Sequence, residues 1–254
     1  MIRRLVILGG SSSLGLGVRG RSYAVRVGEL IGVDVEVLQL SRSAQTIADV
    51  EPAMVEQIRR FRPDLVILSF GAAEAHVHPS RWLQAVLDRF APRSWRGPAG
   101  MEPRPYFSSR RYRALRQRIV SAAKIRLKRI IVGLTGGFHR LSSEEFDRCL
   151  RELLDRLGPV PKVLVGLWSI DDYMFPRSNP VLSRNDTLLQ LIARDREDVI
   201  FVPTRDAVEY WSHFLLDHAH LNDRGHDVVA RLIMTGIEPA LTHQKADTGA
   251  HHPS

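Results

Sequence analysis

The chain has 254 residues, 44% hydrophobic and 25% charged, the composition of an ordinary globular protein rather than a disordered or fibrous one. An α/β unit of this length buries roughly 70–75% of its unfolded surface, enough for a core without metal or disulfide support, and the lone Cys149 excludes an internal disulfide and a zinc-type cysteine cluster. The net charge of +8 is local: residues 81–140 hold 13 Arg and 2 Lys against Asp88 and Glu102, a net +13 that leaves −5 for the rest.

In chain order, Leu5–Leu8 is an apolar run closed by Gly9-Gly10 and predicts a first strand, followed by a second at Val33–Leu38. Ile47, Val50, Met54, Val55, Ile58 and Phe61 keep helical spacing and predict one crossover helix over Ile47–Phe61. Leu65–Ser69 reads as the third strand. Pro92, Pro98, Pro103 and Pro105, with Gly97 and Gly100, predict irregular loop over 91–108. From Ser109 the pattern is helical again, with Tyr112, Leu115, Ile119 and Ala122 forming a packed stripe and Arg110, Arg113, Arg116, Arg118 and Lys124 largely around it. Serines before Glu144 and Glu145 cap a helix over Ser142–Leu157, with Phe146, Leu150, Leu153, Leu154 and Leu157 inward, until Gly158-Pro159 stops it. Val163–Leu167 and Val199–Val202 complete five strands, and a last helix follows Asn222-Asp223 with Val228, Val229, Leu232 and Ile233 inward.

This alternation predicts a three-layer α/β/α fold around a five-stranded parallel sheet of flavodoxin-like order. The expected layout is a single domain over 1–242, a basic insertion at about 79–140 above the carboxyl edge of the sheet, and a disordered tail at 243–254. No apolar run approaches the roughly 18–20 residues of a membrane span. The apolar stretch before Gly9 is too short for a signal-peptide core, so the expected location is the cytoplasm.

Ligands of open parallel sheets sit beyond the carboxyl ends of the strands. Two loops there carry chemistry. Gly9-Gly10-Ser11-Ser12-Ser13-Leu14-Gly15 is a tight small-residue turn that exposes a serine hydroxyl beside backbone N–H groups. Asp217-His218-Ala219-His220-Leu221-Asn222 places an Asp three residues before a His, so the carboxylate can accept from one imidazole nitrogen while the other takes a serine proton. His218 and His226 read as solvent-facing or helix-surface residues, and His76, His78 and His139 have no metal-ligand spacing, so no metal is expected. Gly15-Leu16-Gly17-Val18-Arg19-Gly20 matches the dinucleotide fingerprint literally. It begins seven residues after Leu8, however, and the second strand ends at Gln39-Leu40 without an acid for a ribose, so it reads as coincidence.

In these blocks the chain resembles the SGNH or GDSL hydrolases. Their first block, Gly-Asp-Ser-Leu, stands here as Gly9-Gly10-Ser11-Ser12. Their last, Asp-x-x-His-x-Asn, is Asp217, His220 and Asn222, and Val163–Leu167 with Asp171, Asp172, Asn179 and Asn185 is similar to their fourth-strand region. The resemblance spans residues 4–75 and 160–236. It implies the SGNH fold, Ser11 as nucleophile, His220 as general base and then acid, and Asp217 as the orienting carboxylate. It also implies an oxyanion site made of the Ser11 and Ala44 N–H groups, Ala44 lying in Ser43-Ala44-Gln45-Thr46, which corresponds to the block ending Ser-Gly-x-Thr. Two positions depart from the pattern: Gly10 replaces the first-block Asp, and in Gly71-Ala72-Ala73-Glu74 Ala73 replaces the oxyanion-binding Asn.

The implied activity is an acyl-ester hydrolase working through an acyl-enzyme on Ser11, with no cofactor. The alternatives are an O-acyltransferase to a sugar or other hydroxyl, or a catalytically impaired anion- or ligand-binding protein on the same fold. The implied partner is a small acyl ester or thioester, with Gly71 and Ala73 beside it. Arg110, Arg113 and Arg116 belong to an insertion read either as a solvated lid or as a patch for an anionic lipid or a phosphorylated or sugar acceptor; no nucleic acid is expected.

Overall fold

The computed structural model describes residues 2–97, 100–209 and 211–249, and within these the side chains of all but 94 and 240–249. The chain runs β1 (Arg4–Gly9), α1 (Ser11–Leu14), α2 (Tyr23–Ile31), β2 (Glu36–Gln39), α3 (Pro52–Phe61), β3 (Leu65–Ser69), α4 (Ala72–Ala75), α5 (Arg81–Phe90), α6 (Arg111–Thr135), α7 (Ser143–Leu157), β4 (Lys162–Val165), α8 (Asn179–Arg194), β5 (Val199–Val202) and α9 (Asp223–Gly249). All strands are parallel, in the order β2-β1-β3-β4-β5. The path moves one way across the sheet from β1 to β2 and the other way thereafter. Right-handed crossovers therefore put α2 on one face and α3, α7 and α8 on the other, and α9 packs on α2. Covered on both sides, Leu5, Val6, Ile7 and Leu8 are wholly buried, which is why these strands read as unbroken apolar runs rather than alternating ones.

Several predicted elements shift for local reasons. The helix expected over Ile47–Phe61 is a 3₁₀ turn at Ile47–Asp49 followed by α3, because Pro52 lacks the N–H that a helix interior needs and instead occupies the first turn. The second strand begins at Glu36, since Val33 lies in a solvent-exposed turn, and the fourth ends at Val165. The serine cap of α7 forms as a reciprocal box: Ser142 Oγ accepts from Glu145 N at 3.1 Å and Glu145 Oε2 from Ser142 N at 2.9 Å. α2, α5 and α8 were not anticipated. α9 carries helical backbone to Gly249 where an unstructured tail was expected from 243, no Gly or Pro intervening between Leu241 and that point; 250–254 lie outside the described residues.

The insertion differs most. Only Arg93–Trp95 is helical among the described residues of 91–108, but α6 is rotated from its predicted orientation. It covers Ser121, Lys124, Ile125, Lys128 and Val132, while Tyr112, Leu115 and Ile119 of the expected packed stripe are 80%, 57% and 62% exposed. Lys124 and Lys128 are buried on apolar stems, with their ammonium groups over the rings of Trp95 and Phe175 at 5.0 and 4.9 Å.

His226 was expected on a helix surface and is fully buried between α9 and α2, where its Nδ1 accepts the Tyr23 N–H at 3.0 Å. Burial, with Arg26 nearby, pushes its pKa down to about 3. The unfolded chain takes up this proton near pH 6.5, while the folded state refuses it until about pH 3. Stability is therefore full above pH 6.5 and falls as the pH drops toward 3, by about 1.4 kcal/mol per pH unit at most. Urea unfolding at stepped pH should give a shallower loss for His226→Gln than for the parent; it should not vanish, because buried His78, held near 4, titrates in the same window. Equal slopes would contradict this account.

Candidate active site

The carboxyl ends of β1 to β4 meet above the sheet around a cavity of about 250 Å³. β1 delivers Ser11 through Gly9 and Gly10. A Cβ on Gly9 would lie 2.5 Å from the Ser69 carbonyl oxygen and 2.7 Å from Ser13 Oγ, so only glycine lets β1 turn this closely past β3. At Gly10 an added Cβ meets only the Gln45 carbonyl, at 3.6 Å, so the departure from Asp at that position has no steric origin. Behind the turn, buried Ser13 Oγ lies 2.9 Å from both Gly10 O and Ser41 Oγ and locks the first loop to the second. Gly15, Gly17 and Gly20 all take positive φ in the turn beyond α1, where Val18 N and Gly20 N donate to Gly15 O; these glycines shape that turn rather than close the strand end.

Ser11 Oγ lies 2.7 Å from His220 Nε2, joining side chains 209 residues apart. His220 Nδ1 lies 2.5 Å from Asp217 Oδ2, and the other carboxylate oxygen of Asp217 accepts from the Ala219 and His220 N–H groups at 3.2 and 3.1 Å. Asp217 is 1% exposed, so its orientation is set by these bonds rather than by water. Asn222 holds the loop closed: its Nδ2 donates to Ser212 O and Phe214 O, and its Oδ1 takes Gly225 N in the first turn of α9. Trp168, three residues beyond β4, donates from Nε1 to Ala219 O at 3.1 Å and so holds the backbone beside His220. His218 is not free in solvent; its Nδ1 lies 3.0 Å from Asp171 Oδ2 and its ring meets Trp211 edge-on.

Burial alone would lower the His220 pKa, but the charge and hydrogen bond of Asp217, with a smaller contribution from Glu102, leave it raised. Such an imidazole is a stronger base toward Ser11 and holds a proton well for a leaving group. Facing the serine, Ala44 adopts φ 56°, a left-handed conformation costly for a residue with a Cβ. Arg140 Nη1 donates to the Ala44 carbonyl and its Nη2 reaches Asp49 Oδ2 at 3.1 Å. The local turn uses Arg42 N and Gln45 N, which donate to Gly9 O and Arg42 O, and does not consume the Ala44 N–H.

Ala73 lines the cavity. Gly71 lies behind it with φ 108°, its N–H bound 2.7 Å from Glu74 Oε2. Glu74 is fully buried and takes Ile47 N on its other oxygen, also at 2.7 Å, so one carboxylate ties the loop after β3 to the loop after β2. Arg110, Arg113 and Arg116 do not line the cavity: all three are exposed, Arg110 at the N-cap of α6 and the other two on its outward surface. The insertion instead supplies Glu102, Arg104, Lys124 and Arg140. Glu102 Oε1 lies 3.2 Å from His76 Nδ1, and Leu216 N donates to Pro105 O, fastening this wall to the loop of Asp217. The one signal for Glu102 in the sequence is its scarcity, since it is one of two acids in a segment of net +13. Among the described residues no three His, Cys, Asp or Glu side chains gather as metal ligands, and no helix is long and apolar enough to cross a membrane.

The geometry makes a direct prediction: the His220 ring, followed by NMR, should titrate above the ordinary imidazole value of about 6.5, and Asp217→Asn should move it down. An unchanged His220 titration in the folded variant would show that Asp217 does not set its basicity.

No protein-family model matches the sequence, and no curated protein matches it significantly. Solved structures share its fold. A lipase/acylhydrolase from Enterococcus faecalis superposes with a TM-score of 0.60 at 14% identity, over 94% of this chain and 96% of that one. An alpha/beta hydrolase enzyme from the metagenome of Lake Arreo, Spain, gives 0.58 at 16% identity, over 93% and 95%. Axe2, an acetylxylan esterase from Geobacillus stearothermophilus, gives 0.57 at 17% identity, over 92% and 94%.

Proposed function

We propose that the protein is an SGNH-type serine hydrolase that cleaves small acyl esters through an acyl-enzyme on Ser11. The observation that carries this reading is the hydrogen-bonded chain from Ser11 Oγ through His220 to buried Asp217, at 2.7 and 2.5 Å. As Ser11 attacks the ester carbonyl, His220 takes its proton, and Asp217 stabilises the imidazolium without taking the proton itself. The carbonyl oxygen becomes an oxyanion facing the Ser11 and Ala44 N–H groups, and collapse expels the alcohol with the proton from His220. Water activated by the same imidazole then releases the acid and frees Ser11. The cavity of about 250 Å³ is at the small end for ligand sites, which favours a short acyl group. The fold shared with known esterases supports the same class.

Labelling with a fluorophosphonate tests the nucleophile without knowledge of the natural substrate. The parent should label at one serine and hydrolyse p-nitrophenyl acetate much faster than the octanoate, and Ser11→Ala should lose both reactions while staying folded. Labelling at another serine, or full turnover by Ser11→Ala, would refute the assignment.

Ala73 leaves the oxyanion with backbone donors where the resembled family adds a side-chain amide. Ala73→Asn should therefore raise turnover of p-nitrophenyl acetate by up to about 10²-fold. A folded variant with an unchanged or lower rate would mean that another donor already serves this position.

A further inference from the structure

α6 is apolar on the side that faces away from the protein. Tyr112, Leu115, Ile119, Leu127, Ile130 and Leu134 are all exposed, between 39% and 83%, and at 100° per residue they fall within about a third of the helix circumference. The stripe runs nearly the full 25 residues of the helix. Arg116 and Arg126 lie inside it and Arg111, Arg113, Arg118 and Arg129 flank it. α6 contains no Asp or Glu, and among the described residues none of these six arginines pairs with a carboxylate. Packing within the chain explains neither feature, since the covered row of α6 is the opposite one, Ser121, Lys124, Ile125, Lys128 and Val132.

We propose that this face docks on the surface of an anionic lipid bilayer. Apolar side chains between long arginines suit the boundary between headgroups and acyl chains, where the stripe leaves water and the guanidinium groups extend to phosphates. Charge argues against a second copy as the occupant, because a symmetric contact would press two segments of net +13 together. The charge density within the stripe also prevents α6 from crossing the bilayer, so the helix lies flat. Lys124 on its covered side lines the cavity. Docking therefore holds the cavity roughly one helix diameter, about 10 Å, from the headgroups.

The test is flotation of the full chain with phosphatidylcholine vesicles, with and without phosphatidylglycerol. The protein should float with the anionic vesicles only, and less at high salt. Ile119→Ser with Ile130→Ser should weaken binding about tenfold or more, and so should Arg116→Gln with Arg126→Gln. All four positions are exposed, and circular dichroism checks that helicity is retained. Failure to float with anionic vesicles would overturn the proposal. So would binding indifferent to the isoleucine pair, retention on an acidic peptide as strong as on the vesicles, or a dimer in sedimentation that the isoleucine pair dissolves. Hydrolysis of a soluble ester is a separate readout, and its loss in Ser11→Ala should leave flotation unchanged.

Discussion

The meeting of Ser11 with His220 rests on a clamp between α2 and α9, made by one buried guanidinium. Arg26 is 8% exposed and donates to the carbonyl of Asp223 and to the carboxylates of Asp223 and Asp227, while its Nε holds Arg21 O. A buried guanidinium deprived of partners is costly, so the first turn of α9 cannot slide along α2 without breaking several charged hydrogen bonds at once. His226 adds a second lock by accepting an N–H from the first turn of α2, which the helix itself leaves unpaired. The loop of Asp217 and His220 leads straight into this fixed turn, and Ser11 leads through a short tight segment into α2. Helix packing thus sets the distance between the serine and its base.

Two carboxylates, Glu74 fully buried and Glu102 partly so, do comparable work on the other side of the cavity. Glu74 spans the loops after β2 and β3 and satisfies two backbone amides. Burial pushes its pKa up, against the amides that hold the charged form. Glu102 goes the other way: burial opposes its ionisation, yet His76 and the nearby Lys128 hold it well below the usual carboxylate range. The pair His76–Glu102 brings the basic insertion down onto the sheet edge, so a segment foreign to the resembled pattern becomes a wall of the cavity. Arg140 closes the insertion by gripping the Ala44 carbonyl, which leaves the Ala44 N–H directed by a strained backbone rather than by a side chain.

Legibility in the sequence followed the range of the forces involved. The strands were readable because burial on both faces leaves an unbroken apolar run, and α7 because its cap and stripe are local. Pro52 interrupts an otherwise periodic stretch, and its missing N–H is a local signal for a helix start. His226 and the orientation of α6 were misread, because a histidine on an amphipathic helix and a basic amphipathic pattern say nothing about which neighbour covers which face. Lys124 and Lys128 face inward over aromatic rings contributed by other segments, a contact that periodicity cannot contain.

The order and spacing of Gly9-Gly10-Ser11, Ser43-Ala44-Gln45-Thr46 and Asp217-x-x-His220-x-Asn222 determined the candidate site residues and the sheet edge where they lie, because a parallel α/β topology sends every strand-end loop to the same side. Which of the 15 basic residues of the insertion reach the cavity was decided only in three dimensions. That choice goes with the contact of Glu102 with His76, the bond between Pro105 and the loop of Asp217, and the face that α6 turns inward. These are contacts between segments far apart in the chain, whose partners leave no periodic trace in the sequence near either one.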